Sequence, residues 1–60
     1  MIITLYSDDS PDGELIRSKL DNAGLKYDLI TGAEAIRLNV YGAVLDLDKA
    51  IRWIDAQTGA

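Results

Sequence analysis

Apolar residues recur along this chain with two periods, and the switches between them divide it into strands and helices. Ile2-Ile3-Thr4-Leu5-Tyr6 is β-branched, aliphatic and aromatic and stops at Ser7-Asp8-Asp9-Ser10, which predicts a strand over residues 2–6. A helix should follow at once. Ser10 can cap it with its hydroxyl, Pro11 suits the first helical position, and Asp12 and Glu14 complement the positive end of the dipole. Leu15, Ile16, Leu20 and Ala23 make one apolar stripe, with Arg17, Ser18, Asp21 and Asn22 away from it, and Gly24 stops the helix in a left-handed conformation.

Leu25 to Ile30 reads as a second strand, and the long intervening helix makes it parallel to the first through a right-handed crossover. Ile36, Leu38 and Val40 then alternate with Arg37 and Asn39, the two-residue period of a strand with one wet face. If Tyr41-Gly42 is the turn of a hairpin, Val40 faces Ala43, Leu38 faces Leu45 and Ile36 faces Leu47, while Arg37 meets Asp46 on the other side. Tyr41 is a poor residue for the positive φ that a two-residue turn needs, which favours a looser turn. A last helix spans about Leu47 to Gln57, with Asp46 or Asp48 as cap and Leu47, Ala50, Ile51 and Ile54 inward, and Gly59 stands near its stop. A competing reading makes residues 33–38 helical, because Ala, Glu, Arg and Leu are strong helix formers. It would leave Val44 to Asp46 without a hairpin partner.

The order is β-α-β-β-β-α, an α/β domain over residues 1–60 with a four-stranded mixed sheet and two helices on one face. Alternation puts Thr4, Tyr6, Asp28, Arg37, Asn39 and Asp46 on one side of that sheet, with Ile2, Ile30 and Val44 as its apolar exceptions. Ile3, Leu5, Tyr27, Leu29, Leu38 and Leu45 take the other side. One sheet face is therefore built for solvent.

Sixty residues allow one small core, and a chain of this length buries only about 60% of the surface its unfolded form exposes. Zero Cys and zero His remove disulfides and most metal staples, so close packing or association must supply the rest. The net charge of −4, from ten acidic and six basic residues, argues against nucleic acid or anionic membrane as partner, since both need clustered Lys and Arg. No apolar run approaches the roughly 20 residues of a membrane helix, and Met1-Ile2-Ile3 lacks the basic start of a secretory signal, so a cytoplasmic setting is expected.

Ser10-Pro11-Asp12-Gly13, after the strand Thr4-Leu5-Tyr6-Ser7 and before a helix, resembles the active-site turn of glutaredoxins, where that family carries Cys-Pro-x-Cys. Leu38 to Leu45, followed by Lys49-Ala50-Ile51-Arg52-Trp53-Ile54, is similar to the family's last hairpin and its closing helix. The resemblance covers nearly the whole chain and implies a two-layer, minimal thioredoxin-like fold. It also implies losses. Ser10 and Gly13 match the nucleophilic and resolving cysteines, and neither can exchange thiols for disulfides. Ile36 matches the family's cis-proline, Pro11 being the chain's only proline. Thr31 to Ala35 replaces a whole helix, yet five residues reach roughly 16 Å, enough to cross the about 10 Å over the first strand. The joint losses, with Arg37 repolarising the face the missing helix would cover, look like deliberate reduction of a glutaredoxin-like parent, the alternative being natural loss by drift, which would not be expected to remove both thiols, the proline and the helix while keeping the packing pattern.

Residue chemistry leaves little for catalysis. A serine nucleophile needs a base, and without His the capping role of Ser10 is favoured. Asp8, Asp9 and Asp12 lack the spacing and distal glutamate of an EF-hand loop, which favours a solvated turn over a cation site. The amides near Asp12 and Gly13 could hold a glutathione carboxylate, but acidic neighbours oppose it. Gly13 is read as a replaced cysteine ahead of a backbone requirement. Trp53, Tyr6 and Tyr41 could form an aromatic contact surface, though Trp53 beside Ile54 reads better as a core boundary residue. The expectation is a cysteine-free, redox-inactive scaffold with no catalytic residues, cofactor or metal. The alternatives are a binding or weakly homodimerising module, through the open face or an edge strand, and a remnant oxidoreductase with residual glutathione binding.

Overall fold

The computed structural model describes residues 2–58. Its elements are β1 (Ile3–Tyr6), α1 (Pro11–Asn22), β2 (Asp28–Ile30), β3 (Arg37–Val40), β4 (Ala43–Leu45) and α2 (Leu47–Gln57). The strands form one mixed sheet in the order β2-β1-β3-β4. Leu5 is paired with Leu29 of parallel β2 on one side and with Leu38 of antiparallel β3 on the other, and Leu38 in turn with Leu45. That register sets one row of apolar residues across the inner face. Ile3, Leu5, Leu38 and Val40 bury there against Ile16 and Leu20 of α1 and Ala50 and Ile54 of α2, a single core under both helices. Lys19 and Asp55 join the two helices at 3.1 Å on the surface.

Residues 33–38 are not helical: Arg37 pairs with Tyr6 and Leu38 with Leu5, so cross-strand pairing overrides local helix propensity. The hairpin has the expected register, Val40 with Ala43 and Leu38 with Leu45. Its turn is not loose. Tyr41 adopts φ 51° and Gly42 φ 88°, both left-handed, and the Tyr41 amide donates to the Ile2 carbonyl at 3.1 Å, tying the turn to the chain before β1. A two-residue loop with both residues left-handed matches the twist of its flanking strands, and this overrides the preference of tyrosine.

Other boundaries shift for local reasons. β2 is three residues rather than six, because the Leu25 amide donates back to Leu20 and the Gly24 amide to Asp21, a helix-ending motif that keeps Leu25 out of the ladder. Gly24 holds φ 72° there, the left-handed stop that its position predicts. Ile36 and Leu47 pack against the core without pairing, since Leu47 already opens α2. Asp46 does not meet Arg37: its carboxylate accepts from the Lys49 amide at 2.9 Å and caps α2, while the Arg37 guanidinium lies 5.3 Å from the centre of the Tyr6 ring. Leu15 is 44% exposed, because Gly13, Ile16 and Leu20 form the inward stripe of α1 and Leu15 lies about 100° round from Ile16. Leu29 shares the inner face of Leu5 yet is 41% exposed, lying on the edge strand β2. Gly59 lies outside the described residues.

The opposite face carries Thr4, Tyr6, Arg37 and Asn39, with Ile2, Ile30 and Val44 exposed among them, as the alternation predicts. Among the described residues no helix is long and apolar enough to cross a membrane.

Candidate functional site

The inward alternation of β1 runs one step beyond the strand: Ile3, Leu5, then Ser7, whose side chain is buried. Ser7 ties three segments together. Its amide donates to the Ile30 carbonyl at 2.8 Å, its carbonyl accepts from the Ala33 amide at 3.1 Å, and its hydroxyl donates to the Asp8 carbonyl at 3.1 Å. The first two bonds hold the β2–β3 crossover against the end of β1. The connection between β2 and β3, residues 31–36, is thus fastened to the end of β1.

Asp8 then organises the turn into α1. Its Oδ1 accepts from the Ser10 amide at 3.0 Å and from the Ser10 hydroxyl through a short bond, the side-chain-to-backbone turn typical of aspartate. Ser10 is the N-cap residue, but its hydroxyl makes no cap bond, so the expected capping role falls to its backbone position alone. The Ser10 carbonyl accepts from the Gly13 amide at 3.1 Å, and Pro11 occupies the first turn as predicted. The Ser10 hydroxyl, followed by the Ser10 amide, holds the Asp8 carboxyl below its ordinary value, against a small opposing effect of burial. A carboxylate so stabilised is a weaker base. The one carboxylate touching Ser10 is therefore poorly suited to activate it as a nucleophile.

Gly13 is buried and flush against this turn. A Cβ there would stand 2.5 Å from the Ser7 hydroxyl oxygen and 2.9 Å from the Asp8 carbonyl oxygen, distances that side chains do not tolerate. The backbone requirement that sequence reading ranks second to a lost cysteine is thus present. Ile36, at the position matched to the cis-proline, is half-buried against the core and is not part of the cleft above the turn. That cleft, of about 160 Å³, is lined by Ser7, Asp8, Asp9, Ser10, Glu14, Arg17 and Thr31. It is small beside the roughly 300–1,000 Å³ of ligand pockets. Three carboxylates against one guanidinium give it a negative field, which opposes an anion at the α1 N-terminus.

Asp8, Asp9 and Asp12 do not converge: among the described residues no group of three or more His, Cys, Asp or Glu side chains is placed to hold a metal ion. The aromatic residues do not form one surface. Trp53 packs at the core boundary on the helical side, Tyr6 lies under Arg37 on the open sheet face, and Tyr41 stands 72% exposed at the hairpin turn. Ser7 is the participant that sequence reasoning missed. Its signal was the period-two position after Ile3 and Leu5, masked by the polar Ser-Asp-Asp-Ser run. Set against protein-family models, curated proteins and solved structures, the chain matches none.

Proposed function

We propose that this chain is a redox-inactive, glutaredoxin-like scaffold, reduced by design to two layers, whose property is to fold rather than to catalyse. The observation that carries the reading is the use made of the turn Ser10 to Gly13. Both positions that match family cysteines are committed to packing: Ser10 to Asp8, and Gly13 to close contact with Ser7 and Asp8. The strand order β2-β1-β3-β4, with β1 and β2 parallel and joined by α1, agrees with the family's core without its middle helix. A cysteine-free protein of this kind works in the cytoplasm or as a recombinant domain without redox protection. It takes no cofactor.

The test is a glutathione-dependent disulfide-reductase assay on the purified chain. Turnover equal to buffer is expected. Turnover above buffer that follows protein concentration through size-exclusion fractions would overturn the reading.

A further inference from the structure

We propose that Asp12-Gly13 is a latent covalent modification site, at which aspartate converts to isoaspartate when the first turn of α1 opens locally, and that the converted turn cannot repack. Of the aspartates and asparagines in the chain, Asp12 alone is followed by glycine. Any other residue there carries a Cβ that crowds its own amide nitrogen, whereas glycine leaves that nitrogen free to approach the side chain before it. The Gly13 nitrogen attacks Cγ of the protonated Asp12 carboxyl and forms an N–Cγ bond, while the amide proton and the carboxyl hydroxyl leave as water. Water then adds to the Asp12 main-chain carbonyl in the resulting five-membered ring and breaks its bond to the Gly13 nitrogen. The chain now runs through Cβ and Cγ of Asp12, one methylene longer, with the former main-chain carbonyl as the free carboxyl. One water leaves and one enters, so no co-reactant is needed.

The fold controls this reaction at two points. In the closed turn the Gly13 amide donates to the Ser10 carbonyl at 3.1 Å, and the helical ψ of Asp12 holds that nitrogen away from Cγ. Reaction therefore waits for opening. Asp12 is exposed and the helix start has no side-chain cap bond, so the turn can open without uncovering a large core side chain, at lower cost than unfolding the domain. The bonds from the Ser10 amide and hydroxyl to the Asp8 carboxylate resist it. They also protect the neighbouring pair Asp9-Ser10, whose attacking nitrogen would be the Ser10 amide that Asp8 holds at 3.0 Å.

Reclosure is the second point. Gly13 is buried so tightly that a Cβ would stand 2.5 Å from the Ser7 hydroxyl oxygen and 2.9 Å from the Asp8 carbonyl oxygen. An extra main-chain methylene immediately before Gly13 drives it into those oxygens or out of helical register. The conversion is therefore one-way, and α1 loses its first turn.

The experiment incubates the purified chain at neutral pH and physiological temperature, then digests it with an endoprotease that cuts before aspartate but not isoaspartate and separates the equal-mass peptides. Each rate is divided by that of the same variant unfolded in urea, which removes effects on the intrinsic chemistry. Isoaspartate is expected at residue 12 alone, and Asp12→Glu, which would need a six-membered ring, should form none. Asp8→Ala, which removes both bonds to Ser10, should raise the normalised rate about tenfold, the factor that about 1.4 kcal/mol corresponds to. Ile54→Val, a change in the buried core on α2, should lower the melting temperature and leave the normalised rate unchanged. The isolated product should melt below its parent with less helix. Four results would each overturn the proposal: no conversion of the folded chain over a period in which the urea-unfolded chain converts fully, an unchanged rate in Asp8→Ala, a rate that rises with Ile54→Val, or a product as stable as its parent.

Discussion

Gly13→Ala separates two accounts of the first turn of α1. In an open helical position the change would stabilise the protein by about 1 kcal/mol, through lower backbone entropy in the unfolded chain. Here the added Cβ meets the Ser7 oxygen at 2.5 Å and the Asp8 carbonyl at 2.9 Å. Neither neighbour yields easily. Rotating the Ser7 hydroxyl away gives up its bond to the Asp8 carbonyl, worth about 1 kcal/mol, and Ser7 is itself fastened at both backbone ends. Overpacking of this kind costs about 1–3 kcal/mol, so after the helix-propensity gain the variant should lose about 1–2 kcal/mol. For a domain of this size each kcal/mol lowers the melting temperature by about 4–8 °C. Total stability near 0.05–0.15 kcal/mol per residue, or about 3–9 kcal/mol, leaves the variant folded and measurable.

The assay is urea and thermal unfolding followed by circular dichroism. Ser7→Ala combined with Gly13→Ala should recover part of the loss, because only the Asp8 carbonyl contact then remains, and the two sites should couple by about 0.5 kcal/mol or more. Ser18→Ala, at an exposed helical position, gives the propensity effect alone. A Gly13→Ala protein as stable as its parent, or more so, would refute the close-packing account and return Gly13 to the status of a vacated cysteine.

Two further predictions test neighbouring features. Tyr41→Asn should raise the melting temperature by about 4–8 °C, since a left-handed φ costs a non-glycine residue about 1 kcal/mol and asparagine tolerates it best; an unchanged or lower value would show that Tyr41 makes a compensating contact. Ionisation should shape stability at both pH extremes, through groups whose values shift in opposite directions. The Asp8 carboxyl is lowered below 3.8 by Ser10, so its contribution is full above 3.8 and is lost as pH falls through the folded value. The Tyr27 phenol is raised above 10.0, first by burial and then by the Asp21 charge, so its contribution is full below 10.0 and is lost as pH rises through the folded value. Asp8→Asn should therefore narrow its stability gap to the parent in strong acid, and Tyr27→Phe should do so in strong base; parallel stability curves would contradict both assignments.

The sheet was legible because its strands alternate strictly. Leu38 faces Leu45 across the Tyr41-Gly42 turn with Arg37 kept out of the core, so the hairpin register followed from alternation and turn length together, whereas the pairing of Leu38 with Leu5 is set only in the fold. Edge effects were not legible. Leu29 obeys the alternation but lies where the helices give little cover, and β2 loses half its expected length because the chain first closes α1 through Gly24 and Leu25. The turn at Ser10 was read correctly in place and wrongly in chemistry. A serine hydroxyl at an N-cap has several partners within reach, and a carboxylate two residues earlier, already bonded to the Ser10 amide, outcompetes a backbone amide. The crowding at Gly13 depends on a contact between segments that only the folded chain brings together.

Thermal unfolding with and without reduced glutathione, magnesium or calcium tests the scaffold reading most directly. At fixed protein concentration the account predicts one cooperative transition, at the same temperature in every condition. A ligand present at a hundred times its dissociation constant would add about 2.7 kcal/mol, a rise of about 10–20 °C. A concentration-dependent rise with any of the three would show a ligand-binding site on the folded chain, and the absence of a cooperative transition would show that the chain does not fold alone; either contradicts the claim that folding is what this sequence is for.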